Sequence, residues 1–138
     1  MLHQLTPDQE ALRESLREFA ETDVRGALAE MAETNRFPRY LNTKAAEIGI
    51  TGLLFPEEFG GSDQGLATFA LAMEEISRVN QTVALVLDAS LTLCFLPILQ
   101  NGTPEQRDRY IARAAAGEIM GAFAMSEPTG ATNFATHT

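Results

Sequence analysis

The run of residues 83–99 constrains this chain more than any other feature, because it is apolar nearly all the way round a helix and carries Asp88 as its only charge. A helix without a polar face has to be covered, so the run reads as a buried helix that the rest of the chain wraps. Asn80, just ahead of it, reads as its cap. The run falls short of the ~20 residues that cross a bilayer, and Asp88 and Pro97 both argue against spanning. Asp88 needs its own account, since an unpaired buried carboxylate protonates or finds a partner. Catalytic duty and a solvated or hydrogen-bonded carboxylate facing a cleft or an interface both stay open.

The remaining pieces are helical as well. Thr6-Pro7-Asp8-Gln9 combines a Thr cap, Pro at the first helical position, an acid in the first turn and Gln at the capping-box position. The helix it opens is expected to reach about Val24. Leu12, Leu16, Phe19, Ala20 and Val24 recur at helical spacing and turn Arg13, Glu14, Arg17, Glu18 and Glu21 toward water. A second helical piece covers residues 27–33, Asn35-Arg36-Phe37-Pro38 breaks the pattern, and a third runs over 38–48 until Gly49 stops it. Over residues 66–79, Leu66, Phe69, Ala70, Met73, Ile76 and Ser77 keep a helical period and read as a core stripe, with Glu74 and Arg78 at i,i+4. Thr103-Pro104-Glu105-Gln106 repeats the capping box and opens a helix to about Ala116, ended by Gly117. No sequence repeat surrounds the two starts.

Only at residues 119–125 does the chain turn strand-like, followed by the turn Ser126-Glu127-Pro128 and a loop rich in Gly, Ala and Thr. Small residues there allow backbone to approach a planar ligand closely; an ordinary strand and turn is the plainer reading. The expected fold class is mainly α, a helical bundle with a short strand and loop at the C-terminus. The segment from Leu53 to Ser62, with its Gly60-Gly61 pair, lacks both the Lys of a Walker loop and GxGxxG spacing, so it reads as a structural connection.

Charge and motif content narrow the function. A net charge of −9 with pI near 4.6, and ten basic residues spread along the chain, disfavour nucleic acid or an anionic membrane as partner. Cys94, the single cysteine, reads as a small packed hydrophobe in a reducing compartment. The first residues lack the basic and apolar regions of a secretory signal, so a cytoplasmic location is expected. His3 and His137 lie near opposite ends, no HExxH or paired-Cys motif occurs, and no metal site is expected. Ser62, Ser90 and Ser126 lie outside any GxSxG setting, and the carboxylates match helix surfaces and first turns rather than an acid–base pair.

Several segments, taken in order, resemble the N-terminal part of the acyl-CoA dehydrogenase family. They are Leu5-Thr6-Pro7-Asp8-Gln9 with Arg17-Glu18-Phe19-Ala20, the stretch from Ala46 to Gly61, and Glu74-Glu75-Ile76-Ser77-Arg78-Val79. Gly102-Thr103-Pro104-Glu105-Gln106-Arg107 and Gly117-Glu118 leading to Gly121-Ala122-Phe123-Ala124-Met125-Ser126-Glu127-Pro128 complete the set.

The resemblance implies a helical N-terminal domain over residues 1–118 and, over 119–138, the start of a middle β-barrel domain that a C-terminal four-helix bundle would follow. FAD is the implied cofactor. Phe123, Met125 and Ser126 stand where the family meets the flavin ring through backbone groups and a hydroxyl, and Thr132 matches a family Ser near the flavin and the acyl-CoA thioester. Val86, Ala89 and Ser90 match the helix that lines the acyl tail. Gly130-Ala131 reverses the family's usual order and Asn133 replaces its usual Asp.

The implied reaction is α,β-dehydrogenation of an acyl-CoA thioester, with electrons passing to an electron-transfer flavoprotein and the full-length enzyme forming a homo-oligomer, in the family typically a tetramer. The family's catalytic base lies in the C-terminal bundle, so no residue of this chain takes that role, and the chain alone is expected to be inactive. Two alternatives stand beside this: a naturally short, non-enzymatic helical binding or assembly module, whose strand at 119–125 would need covering, and an acyl-CoA oxidase-type flavoenzyme on the same scaffold.

Overall fold

Both Thr-Pro-acid-Gln signatures close into full capping boxes in the computed structural model, which describes residues 4–128. The Gln9 N–H donates to Thr6 Oγ1 at 3.2 Å while the Thr6 N–H donates to Gln9 Oε1 at 3.0 Å. Thr103 and Gln106 repeat the exchange at 3.3 and 2.9 Å. Thr103→Ala is therefore expected to cost about 1 kcal/mol in thermal or urea unfolding, with Thr103→Ser recovering most of it.

Helix α1 (Pro7–Phe19) does not end near Val24. It continues through a π-helical turn (Ala20–Val24) into α2 (Arg25–Thr34), and the rod stops only where Asn35 takes a left-handed conformation at φ 52°. The expected gap before residue 27 is absent because Ala20, Val24 and Ala27 are all buried, and the wider turn keeps them on one face. Helix α3 (Tyr40–Glu47) leads into two 3₁₀ turns (Ile50–Gly52 and Glu57–Phe59). The connection then folds back on itself: the N–H groups of Ser62, Asp63 and Gln64 donate to the carbonyls of Gly52, Phe55 and Leu53 at 3.0, 3.0 and 2.8 Å.

Helix α4 (Gly65–Ser77) packs between α1 and α5. Its Glu75, 6 % exposed at the side chain, receives both ends of the Arg17 guanidinium at 2.9 and 3.0 Å and Arg78 at 3.2 Å. Burial pushes the Glu75 carboxyl up, but the Arg17 hydrogen bonds and the charges of Arg17, Arg78 and Arg13 outweigh it and hold the group below its ordinary value.

The apolar run forms α5 (Gln81–Asp88), a second π-helical stretch (Ala89–Phe95) and α6 (Leu96–Asn101), with Asn80 Oδ1 accepting from the Val83 N–H at 3.0 Å. This continuous helix has 21 residues, and its most apolar 18-residue window has a mean hydropathy of 2.1, so it is long and apolar enough to cross a membrane by length and composition alone. The expected shortness does not hold. Neither does complete burial: 33 % of its most apolar window is buried, because α4 and α7 (Pro104–Ala115) cover parts of it while Leu85 and Leu93 stay exposed.

The core beneath gathers Leu16, Phe19, Leu41, Phe55, Ile76 and Leu87, with Ile111 from α7. Helices thus account for the domain, as the sequence indicates. Residues 119–126 join no sheet ladder, and strand-type pairing among the described residues is confined to an isolated bridge at Glu127. The segment has the composition of a strand without a partner edge, and a strand exists only through pairing.

Candidate functional site

The chain leaves α7 along a path held by buried polar side chains from three other parts of the fold. Thr51 Oγ1 donates to the Ala115 carbonyl at 2.6 Å and Asn42 Nδ2 donates to the Gly117 carbonyl at 2.8 Å. The Gly121 N–H then donates to Ser90 Oγ at 2.8 Å. Carbonyls at a helix C-terminus have no intrahelical donor, so the bond to Ala115, the last residue of α7, meets an existing need, while the one to Gly117 lies past the helix end.

Gly121 lies so close to the long helix that a Cβ there would come 2.5 Å from both Cβ and Sγ of Cys94 and 3.1 Å from the Phe95 ring. Cys94 is half-buried in that contact. Ile119 packs against the core on the way.

Beyond Gly121 the chain comes to the surface. Phe123 is 55 % exposed, Ser126 is exposed and Met125 is half-buried. The Ser126 hydroxyl has no hydrogen-bond partner among the described residues, so an exposed ring, an open hydroxyl and non-helical backbone sit together. Thr132, with Gly130, Ala131 and Asn133, lies outside the described residues.

Of the residues matched to the acyl tail, Val86 and Ala89 are half-buried. Ser90 is 2 % exposed, with its hydroxyl engaged by Gly121. The structure therefore joins the two candidate groups through Ser90 and Gly121. No hydrogen bond among the described residues links Phe123, Met125 or Ser126 to Val86 or Ala89.

A separate apolar groove of about 480 Å³ runs between α4 and the long helix, lined by Phe69, Met73 and Thr92 among others. Leu66 and Leu85, each 63 % exposed, flank it. Asp88 lies on this groove rather than beside Gly121, and the Thr92 hydroxyl lies 3.2 Å from its Oδ1 and 2.8 Å from its carbonyl oxygen. This hydrogen bond gives the half-buried carboxylate a structural account.

Sequence reasoning missed Asn42 and Thr51. Thr51 stands out as a polar residue among Ile50, Leu53 and Leu54, whereas Asn42, followed by Thr43 and Lys44, carries no such signal; their targets lie 75 and 64 residues away.

Residues 6–118 match the family model described as acyl-CoA dehydrogenase, N-terminal domain. The chain is 38 % identical over 129 residues to the short-chain specific acyl-CoA dehydrogenase of Clostridium acetobutylicum, covering 94 % of this chain and 34 % of that protein. Among solved structures, it is similar to a chain in that described as the electron transferring flavoprotein of Acidaminococcus fermentans. The TM-score is 0.85 with 36 % identity, over 94 % of this chain and 34 % of that one. It is also similar to the FAD complex of PigA, at a TM-score of 0.82 and 26 % identity over 93 % and 34 % of the two chains. The chain spans about a third of the length of these relatives.

Proposed function

Because this chain belongs to the acyl-CoA dehydrogenase family, matching its N-terminal domain over residues 6–118, we propose that it works as the helical domain of an FAD-dependent enzyme that α,β-dehydrogenates acyl-CoA thioesters. In this reading residues 1–118 are the helical domain and 119–138 begin the middle β-domain. The observation that carries it is the Ser90–Gly121 bond at 2.8 Å, which ties the helix matched to the acyl tail to the segment matched to the flavin.

Each group then has a task. The half-buried Val86 and Ala89 offer an apolar wall to the acyl tail. Ser126 can direct its free hydroxyl at a flavin heteroatom, and the backbone at Phe123 and Met125 can run along the ring edge. Thr132 keeps a hydroxyl in the loop matched to the thioester. Bound FAD would take the β-hydrogen as hydride while a carboxylate removes the α-proton. That carboxylate belongs to the C-terminal part of the family's architecture, and electrons leave through an electron-transfer flavoprotein. The enzyme would be a cytoplasmic homo-oligomer of fatty-acid metabolism.

The test is anaerobic titration of the FAD-loaded gene product with acyl-CoA of several chain lengths. Bleaching of the flavin near 1:1 is the expected result, and an FAD-loaded protein that no acyl-CoA reduces would overturn the assignment. Rapid reoxidation by oxygen would instead select the oxidase reading. The 138-residue chain alone is expected to show no turnover and weak FAD affinity. The exposed Leu66 and Leu85 also suit a non-enzymatic module covered by another chain, and an intact gene-product mass near 15.0 kDa would favour that reading.

A further inference from the structure

We propose that Asn42, Thr51 and Ser90 are positioning residues that together fix where the segment 121–126 leaves the helical domain, relative to the helix face carrying Val86 and Ala89. The role rests on the flavin reading of that segment; the three bonds do not.

Among the described residues, the buried polar side chains are Asn42, Thr51, Thr68, Glu75 and Ser90. Thr68 and Glu75 are engaged by Gln9 and Arg17 and so tie α4 to α1. The other three all reach backbone atoms of a single stretch, at Ala115, Gly117 and Gly121. Hydrogen bonds to backbone place a chain whatever side chains it carries, and buried ones hold their partners with little competition from water.

Helix capping accounts for the bond at Ala115, the last residue of α7, but not for those at Gly117 and Gly121, which lie past its end and complete no helix. The Gly121 bond also depends on that residue having no side chain, since a Cβ would collide with Cys94 and push the N–H off Ser90. The π-helical stretch Ala89–Phe95 supplies Ser90, Cys94 and Phe95 to this one contact. A chain held this closely just before Phe123 and Ser126 limits how far those residues can shift, and reaction geometry tolerates little displacement.

The test compares wild type, Ser90→Ala, Ser90→Thr and Gly121→Ala in the full gene-encoded protein purified with FAD. Ser90→Ala is expected to raise amide exchange at Gly121 roughly tenfold, as loss of one buried hydrogen bond predicts, while amides in α4 and α7 keep their protection. FAD stays bound, its absorption bands shift, and anaerobic reduction by acyl-CoA slows about tenfold. Ser90→Thr, which retains the hydroxyl, restores slow exchange, and Gly121→Ala reproduces the spectral shift from the opposite side of the contact.

Unchanged exchange in Ser90→Ala would overturn the bond as a restraint. Faster exchange with a wild-type flavin spectrum and rate would overturn the positioning role. A wild-type protein that holds no FAD would overturn the flavin reading and the role with it, while exchange at Gly121 still reports on the bond.

Discussion

Gly61→Ala is expected to lower the unfolding free energy by about 3 kcal/mol. A Cβ at that position would overlap the carbonyl oxygen of Phe55 and sit 2.7 Å from that of Gly52. Both obstacles are backbone, so no rotamer change relieves them. They are also the acceptors that knit the connection together, taking hydrogen bonds from Asp63 and Ser62. Phe55 is fully buried in the core, so pushing its carbonyl aside moves a ring that has no room to move. Urea unfolding of the variant should show a lower midpoint with an unchanged slope. A midpoint within error of wild type would mean the connection is much softer than its hydrogen bonds imply.

Glu75→Ala is expected to cost about 2 kcal/mol near neutral pH, the size of a buried, charge-assisted hydrogen-bond pair discounted for arginines that can turn to solvent. Its pH dependence distinguishes it from an ordinary truncation. The folded Glu75 carboxyl lies below its ordinary value. The stabilisation it provides is therefore complete above the unfolded pKa near 4.5 and is lost as pH falls through the lower folded value. The difference between wild type and Glu75→Ala should shrink over that acidic window, and Glu75→Gln should show the same flattening with a smaller loss at neutral pH. Parallel profiles down to the acid transition would show that the carboxylate's charge contributes nothing to holding α1 against α4.

The contrast between these sites shows what local sequence can carry. Thr6, Asn80 and Thr103 act on atoms within three residues of themselves, so their caps were legible from spacing alone. The role of the Gly60-Gly61 loop as a connection was legible too, although the identity of the atoms pressing on Gly61 was not. The fusion of α1 with α2 depends on whether Ala20, Val24 and Ala27 meet a core, which propensity does not encode.

The candidate site divides the same way. The small and apolar residues leading to Phe123 and Ser126 stood out as a composition. Ser90, by contrast, finds its partner 31 residues away, and nothing in its own neighbourhood distinguishes it from a pocket-lining serine. A strand at 119–125 failed to form among the described residues for a related reason: composition marks a segment willing to pair, and the partner edge has to come from elsewhere.

The wide turn at Ala89–Phe95 takes up about one residue more than an ordinary helix would over the same rotation. Removing one residue from this stretch should therefore let a regular helix form with Ile98 and Leu99 still on their packing surface, whereas the same deletion inside α6 or α7 would turn every later side chain by about 100°. The loss would fall on Ser90, Cys94 and Phe95, whose meeting at Gly121 uses the wide turn. A shortened chain should thus fold with its helices docked and release the segment that follows Gly121.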